Sequence, residues 1–184
     1  MVAVAEKTKA AVWVAPFSAR CSFPERHPQF HGFLHASPAQ LSDALKDYDL
    51  VVVIGAPVFT FHVEGHAAIF DGGATIFQIT DDIDSAAVAP IGTSIIATMK
   101  PALTMLLALL PENDWEACAG RTLPPPPRAA DPIPVDFLLH TLSTLMQDDA
   151  ALVEEAPSHR PLMHRYLPMR GQDSFYTMAS GGLG

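Results

Sequence analysis

A chain of 184 residues is long enough for one ordinary domain or two small ones, and 49% hydrophobic against 17% charged residues gives it a real core to build. The formal net charge of −9 argues against nucleic acid and anionic membrane surfaces as partners, because both would repel it. The two cysteines, Cys21 and Cys118, stand in no paired spacing, which argues against a disulfide framework or a zinc site and suits a reducing cytoplasm.

Glu6 and Lys7 place charge where a secretory signal needs its apolar stretch. Residues 6–9 read as the end of a helix. Runs at 11–15, Leu50–Ile54 and Thr75–Thr80 are near-continuous apolar blocks, with a weaker one at 94–98. An apolar block of that length predicts a strand covered by helices on both faces. Between the first two runs, Ser37 as N-cap, Pro38 at the first helical position and Gln40 three residues after the cap predict a helix carrying Leu41, Ala44, Leu45 and Tyr48 on one side. Leu103, Leu106, Leu107 and Leu110 make a second helical stripe. The apolar segment 99–110 is too short to cross a bilayer and contains Lys100 and Pro101. Strand–helix–strand alternation implies an α/β fold with a parallel sheet.

Segment 121–134 holds Pro124-Pro125-Pro126-Pro127 and two further prolines, so it reads as an extended, semi-rigid linker. Beyond it, Val135, Leu138, Leu139, Leu142 and Leu145 form a third stripe, 150–153 reads as a strand and 154–158 as a loop. The division expected is therefore a first unit at 1–120, the linker at 121–134 and a short second unit at 135–184.

Reactive groups in parallel α/β sheets gather on loops that leave the carboxyl ends of strands. Two such loops are rich in them: 16–32, with Arg20, Cys21, Arg26, His27 and His31, and 55–66, with His62, Glu64 and His66. His62, titrating near ~6.5 when unperturbed, is suited to moving protons at neutral pH. His62, Glu64 and His66 make a poor metal site, because Gly65 spoils a helix and no further ligand is evident. His27, His31 and His35 recur every four residues, but Pro28 and Gly32 break the helix that would align them, so they read as loop. Asp71-Gly72-Gly73 reads as a turn, and Asp81, Asp82 and Asp84 as solvated groups or helix caps. Fingerprints for a dinucleotide, a phosphate-binding loop and a nucleophile elbow are all lacking. The last eight residues, Thr177-Met178-Ala179-Ser180-Gly181-Gly182-Leu183-Gly184, are small and apolar, with three glycines that allow close approach to the backbone.

Several segments taken together resemble the thiamine-diphosphate-dependent 2-oxo acid decarboxylases of the benzoylformate type. They are Ala11-Val12-Trp13-Val14-Ala15-Pro16, Arg20-Cys21-Ser22-Phe23-Pro24 with Arg26-His27-Pro28, Ile54-Gly55-Ala56-Pro57-Val58-Phe59 with His62, Gln78-Ile79-Thr80-Asp81-Asp82, Glu154-Glu155-Ala156-Pro157-Ser158, Leu167-Pro168-Met169-Arg170, and the glycine-rich tail. They follow one another in the family's order over nearly the whole chain.

The resemblance implies a Rossmann-like (DHS-like) central domain, truncated at its start, followed by an incomplete thiamine-diphosphate-binding domain. Within it, Leu183 matches the apolar wedge under the bent cofactor, and the Gly181 carbonyl matches the acceptor for the pyrimidine amino group. Ser158 matches a contact to the diphosphate, and His62 a catalytic histidine that moves protons beside the substrate carbonyl. Pro157 stands where the family carries a hydroxyl, which removes one diphosphate contact. The Mg2+ ligands and the activating glutamate are expected outside this chain, so the chain alone is expected to be inactive. The resemblance further implies an aromatic 2-oxo acid as substrate, a homo-oligomeric parent and a cytoplasmic location, with no nucleic acid or membrane as partner. Acetolactate-synthase or oxalyl-CoA-decarboxylase chemistry, and a non-catalytic α/β binding module, are the alternatives.

Overall fold

The computed structural model describes residues 1–16, 18–61, 70 and 72–177, apart from the side chain of Pro157. Contacts divide the chain into two units, one of Met1–Lys9 with Phe33–Glu116, the other of Ala10–Gly32 with Ala117–Gly184. The grouping cuts across chain order, since an early segment joins the late one.

In the first unit, helix α1 (Val2–Thr8) stops where Lys9 turns left-handed at φ 58°. Helix α2 (Pro38–Leu45) begins after Ser37, as its sequence predicts, although the serine side chain makes no capping bond. Pro38 supplies the preset φ of a first turn, and Leu41 and Leu45 are buried. Strands β3 (Leu50–Ile54), β4 (Thr75–Thr80) and β5 (Thr93–Ile96) make a parallel sheet in that order, with Leu50 opposite Thr75 and Phe77 opposite Thr93. Helix α3 (Ile83–Ala87) is capped by Asp82, whose Oδ1 accepts from the backbone N–H groups of Asp84 and Ser85. Helix α4 (Met99–Leu109) packs against α1 and touches β4. Asn113 donates to the Lys7 carbonyl at 2.6 Å, tying the end of α1 to the segment after α4.

Gln78, 1% exposed, fixes the middle of the sheet. Its amide donates to the Ala56 carbonyl at 2.9 Å and to Ser85 Oγ at 3.2 Å, and accepts from Ser94 Oγ at 2.7 Å. A buried amide is tolerated when its donors and acceptor are met in this way. The opposite face departs from expectation. Leu50, Val52, Phe77 and Ile95 share one side of the register and remain 51, 40, 36 and 46% exposed. That face is only partly covered, since Ile79 on the same side is buried while the rest of the row stays open.

In the second unit, the strand expected at 11–15 forms as β1 (Val12–Val14), but it pairs with β2 (Phe30–Phe33) instead of entering the parallel sheet. His31, read from the sequence as loop, therefore lies on a strand, with its ring 5.7 Å from that of Trp13. Gly32, the next residue, adopts φ 135°, which a β-carbon disfavours. Helix α5 (Val135–Leu145) follows the third apolar stripe, and strand β6 (Leu152–Glu154) confirms a strand near 150–153. A 3-10 turn (Pro157–His159) leads into helix α6 (Arg160–Tyr166) and then strand β7 (Phe175–Thr177), which runs parallel to β6. Cys21, Leu139, Met163, Leu167, Met169 and Phe175 make the core of this unit.

The proline-rich segment 121–134 carries neither helix nor strand. Its first residue is nonetheless anchored. Arg121 donates through Nη1 to the His164 carbonyl at 2.7 Å, lies 3.2 Å from Glu25 Oε2 and stacks 4.6 Å over the Phe30 ring. No helix among the described residues is long and apolar enough to cross a membrane.

Candidate functional site

Strands β6 and β7 are neighbours, and their register sets Glu154 opposite Thr177 at the carboxyl ends of both. The chain leaving β6 enters the 3-10 turn with Ser158; the chain leaving β7 enters 178–184. Parallel pairing thus puts the strand ends that precede both segments implied by the resemblance, Glu154 and Thr177, at the same edge of one sheet, the edge where ligands collect in such folds.

Glu154 holds that edge together. Its side chain is fully buried, and its carboxylate accepts from Ala156 N at 2.5 Å, Thr177 Oγ1 at 2.6 Å and Arg160 Nε at 2.8 Å. Arg160 Nη2 reaches Thr177 Oγ1 at 2.7 Å and closes the triangle. Burial pushes the Glu154 carboxyl up. The bonds from Thr177 and Arg160, the charge of Arg160 and the Ala156 N–H together outweigh burial and hold it below its ordinary value. The carboxylate therefore stays ionised and serves as a rigid clamp. Sequence reading passed over this clamp: Glu154 entered it as the start of a loop and part of a motif, Thr177 as the first residue of the tail, and Arg160 not at all.

Ser158 is exposed, and its hydroxyl lies 3.4 Å from His159 Nδ1, a long contact that leaves it free to turn toward a ligand. An exposed hydroxyl at the carboxyl end of a parallel strand fits a donor to an anionic oxygen. Gly181 and Leu183 lie outside the described residues, as does His62. The root of the loop toward His62 is described. Gly55 turns at φ 63°, Ala56 is held by Gln78, and Val58 is 3% exposed. Glu64 and His66 also lie outside the described residues, and no three His, Cys, Asp or Glu side chains among the described ones could share a metal ion.

Other groups singled out by sequence have quieter roles. Burial and the nearby Glu25 charge push the Cys21 thiol up to about 11, so it stays protonated and unreactive in the core. Burial lowers His31 from its ordinary value, opposed by a backbone bond at Cys118. Asp82 is a helix cap, as read.

Comparison with known proteins agrees with this architecture. Residues 1–106 match the family model for the thiamine pyrophosphate enzyme central domain. The chain is 34% identical, over its whole length, to a benzoylformate decarboxylase of Pseudomonas aeruginosa, of which it spans 35%. Among solved structures it is similar to a benzoylformate decarboxylase of Polynucleobacter necessarius, with TM-score 0.93 and 36% identity over 100% of this chain and 35% of that one. It is also similar to the thiamine diphosphate-dependent 4-hydroxybenzoylformate decarboxylase of Rhodococcus jostii RHA1, with TM-score 0.91 and 35% identity over 99% of this chain and 35% of that one. An α/β chain whose parallel strands present Ser158 at their carboxyl edge, and which matches that model over more than half its length, belongs to the thiamine pyrophosphate enzyme family.

Proposed function

We propose that this chain is part of a thiamine-diphosphate-dependent decarboxylase acting on an aromatic 2-oxo acid such as benzoylformate, releasing carbon dioxide and an aldehyde in a cytoplasmic homo-oligomer. The observation that carries the reading is the Glu154 clamp, which holds the roots of the Ser158 turn and of the 178–184 tail together. The names of the similar proteins supply the substrate class.

When bound, thiamine diphosphate supplies the electron sink that decarboxylation of a 2-oxo acid requires. The Ser158 hydroxyl would donate to a diphosphate oxygen, with Glu154 fixing the start of its turn through the Ala156 N–H. Gly181 and Leu183, matched through the resemblance, would hold the aminopyrimidine side of the cofactor. His62 moves a proton at the substrate carbonyl, a task suited to imidazole at neutral pH. Mg2+ would be held by ligands outside this stretch of sequence.

The test is His62→Ala in the longer polypeptide that carries the family's remaining domains, assayed for carbon dioxide release from benzoylformate. Loss of a positioned acid–base group lowers turnover about 10²–10⁴-fold. Unchanged turnover removes His62 from the mechanism. Preference for pyruvate condensation over benzoylformate cleavage in the parent replaces the substrate assignment with acetolactate chemistry.

A further inference from the structure

The second unit concentrates positive charge in a place that the proposed chemistry does not use. Two adjoining cavities, of about 540 and 420 Å³, share Arg26 and Leu123 in their walls. The smaller is lined by Arg26, Arg165 and Arg170 together with the hydroxyl-bearing Ser143, Thr144 and Tyr166. In a chain with net charge −9 and only 11 Lys and Arg, three guanidiniums around one hollow are a local reversal of sign.

Two of the arginines converge. Arg26 Nη2 donates to Ser143 Oγ at 3.3 Å, and Arg170 Nη2 donates to the Ser143 carbonyl at 3.2 Å. Like charges drawn to one residue repel each other unless an anion lies between them. Asp148 pairs with Arg170, but its side chain is 95% exposed and it does not line the cavity. No described carboxylate lines the cavity, whereas Arg121 beside it is already matched by Glu25. The Arg165 guanidinium stands 5.8 Å from the Tyr166 ring centroid, within cation–π range. Guanidinium forks flanked by hydroxyls match the geometry and charge of a phosphate or carboxylate group.

We propose that this cleft, between α5, α6 and the segment around Arg26, is a binding site for a multiply charged oxyanion carried by a small molecule. Arg26 and Arg165 provide the forks, Arg170 adds charge beside its pair with Asp148, and Ser143 provides a neutral donor, the Thr144 hydroxyl being committed to the Thr141 carbonyl. The site binds its ligand reversibly and involves no bond making.

The experiment is calorimetric titration of the 184-residue chain with pyrophosphate and, separately, with the tricarboxylate tricarballylate, each against sodium chloride of equal ionic strength. One of the two ions binds with saturation, and which one names the class, phosphate or polycarboxylate. Arg165→Gln weakens it at least tenfold, Arg26→Lys weakens it less because the charge remains while the fork is lost, and Arg128→Gln at an exposed site elsewhere leaves it unchanged. Silence with both ions, or equal binding by parent and Arg165→Gln, overturns the proposal. So does loss in Ser158→Ala with retention in Arg165→Gln, which assigns the ion to the turn after β6. Circular dichroism of each variant separates a lost site from a lost fold.

Discussion

The buried clamp at the ends of β6 and β7 is the feature whose removal has the most calculable result. Arg160→Met keeps most of the side-chain volume and deletes the charge that faces Glu154. The Glu154 side chain is 0% exposed and that of Arg160 only 14%, so the pair is dry and its energies are those of a protein interior. Stripping one partner from such a pair costs about 3–5 kcal/mol, because a carboxylate is left buried without its counter-charge. Thr177→Val removes one bond to the same carboxylate together with the acceptor for Arg160 Nη2, and costs about 1.5–3 kcal/mol. Urea unfolding followed by Trp13 fluorescence, in a Trp115→Phe background, reads this unit selectively, because Trp13 belongs to it and Trp115 to the other. Glu154 is held below its ordinary carboxyl value of 4.5, so the stability it confers is complete above that pH and is lost as pH falls through the lowered value. In Arg160→Met the lowering by Arg160 is gone while burial still pushes the carboxyl up, so the gap between parent and variant narrows as pH falls toward and through the ordinary value, where protonation removes the stranded charge. A loss under ~1 kcal/mol at pH 7, the value of a solvent-exposed pair, would refute the argument that the clamp is dry.

Three further outcomes are expected. Calorimetric titration of this chain with thiamine diphosphate and Mg2+ gives weak binding, and the chain releases no carbon dioxide from benzoylformate; tight Mg2+-dependent binding would contradict the assignment of essential ligands to other domains. Gly92→Ala lowers the unfolding free energy of the first unit by about 2 kcal/mol or more, measured by circular dichroism in urea, since Gly92 sits at φ 86° and an added β-carbon would lie 2.7 Å from the Ile76 carbonyl. Leu50→Lys reduces binding of a hydrophobic dye and self-association, with less than ~0.5 kcal/mol change in stability, because it breaks an exposed apolar row while removing little buried contact.

What the residues revealed, and what they hid, divides along the range of the interactions. Leu50–Ile54 and Thr75–Thr80 were legible because β-branched and apolar residues crowd into runs of strand length, and the structure has strands at those bounds. The stripes at 103–110 and 135–145 were legible as helices for the same local reason, and so was Asp82 as a cap. Strand β2 was hidden, since Phe30-His31-Gly32-Phe33 carries a glycine at its centre and follows a proline-rich turn, both breaker signals. Strand β7 was hidden by its length of three residues, although Phe-Tyr-Thr has the composition of a strand. Helix α6 carries Pro161 in its first turn, a position that tolerates proline and that can be read from sequence only once the helix start is known.

The candidate site shows the same division with more at stake. Ser158 was reachable from the resemblance, because it sits within a short ordered motif. The residues that hold it were not. Glu154 and Arg160 are six positions apart, a spacing that brings side chains together on no helix or strand, and Thr177 is 23 residues from Glu154. They meet because a strand, a tight turn and a short helix return the chain parallel to itself. A charged pair enclosed by that return is stable only if the turn keeps one shape, so Glu154 links the turn's conformation to the start of the glycine-rich tail. On this account Arg160→Met should disturb both segments at once, whereas Ser158→Ala should remove one hydroxyl and leave β7 unchanged. Amide exchange at Ala156 and Thr177 distinguishes the two. Joint acceleration in Arg160→Met supports a shared clamp, and acceleration at Ala156 alone shows that the strands hold their ends independently.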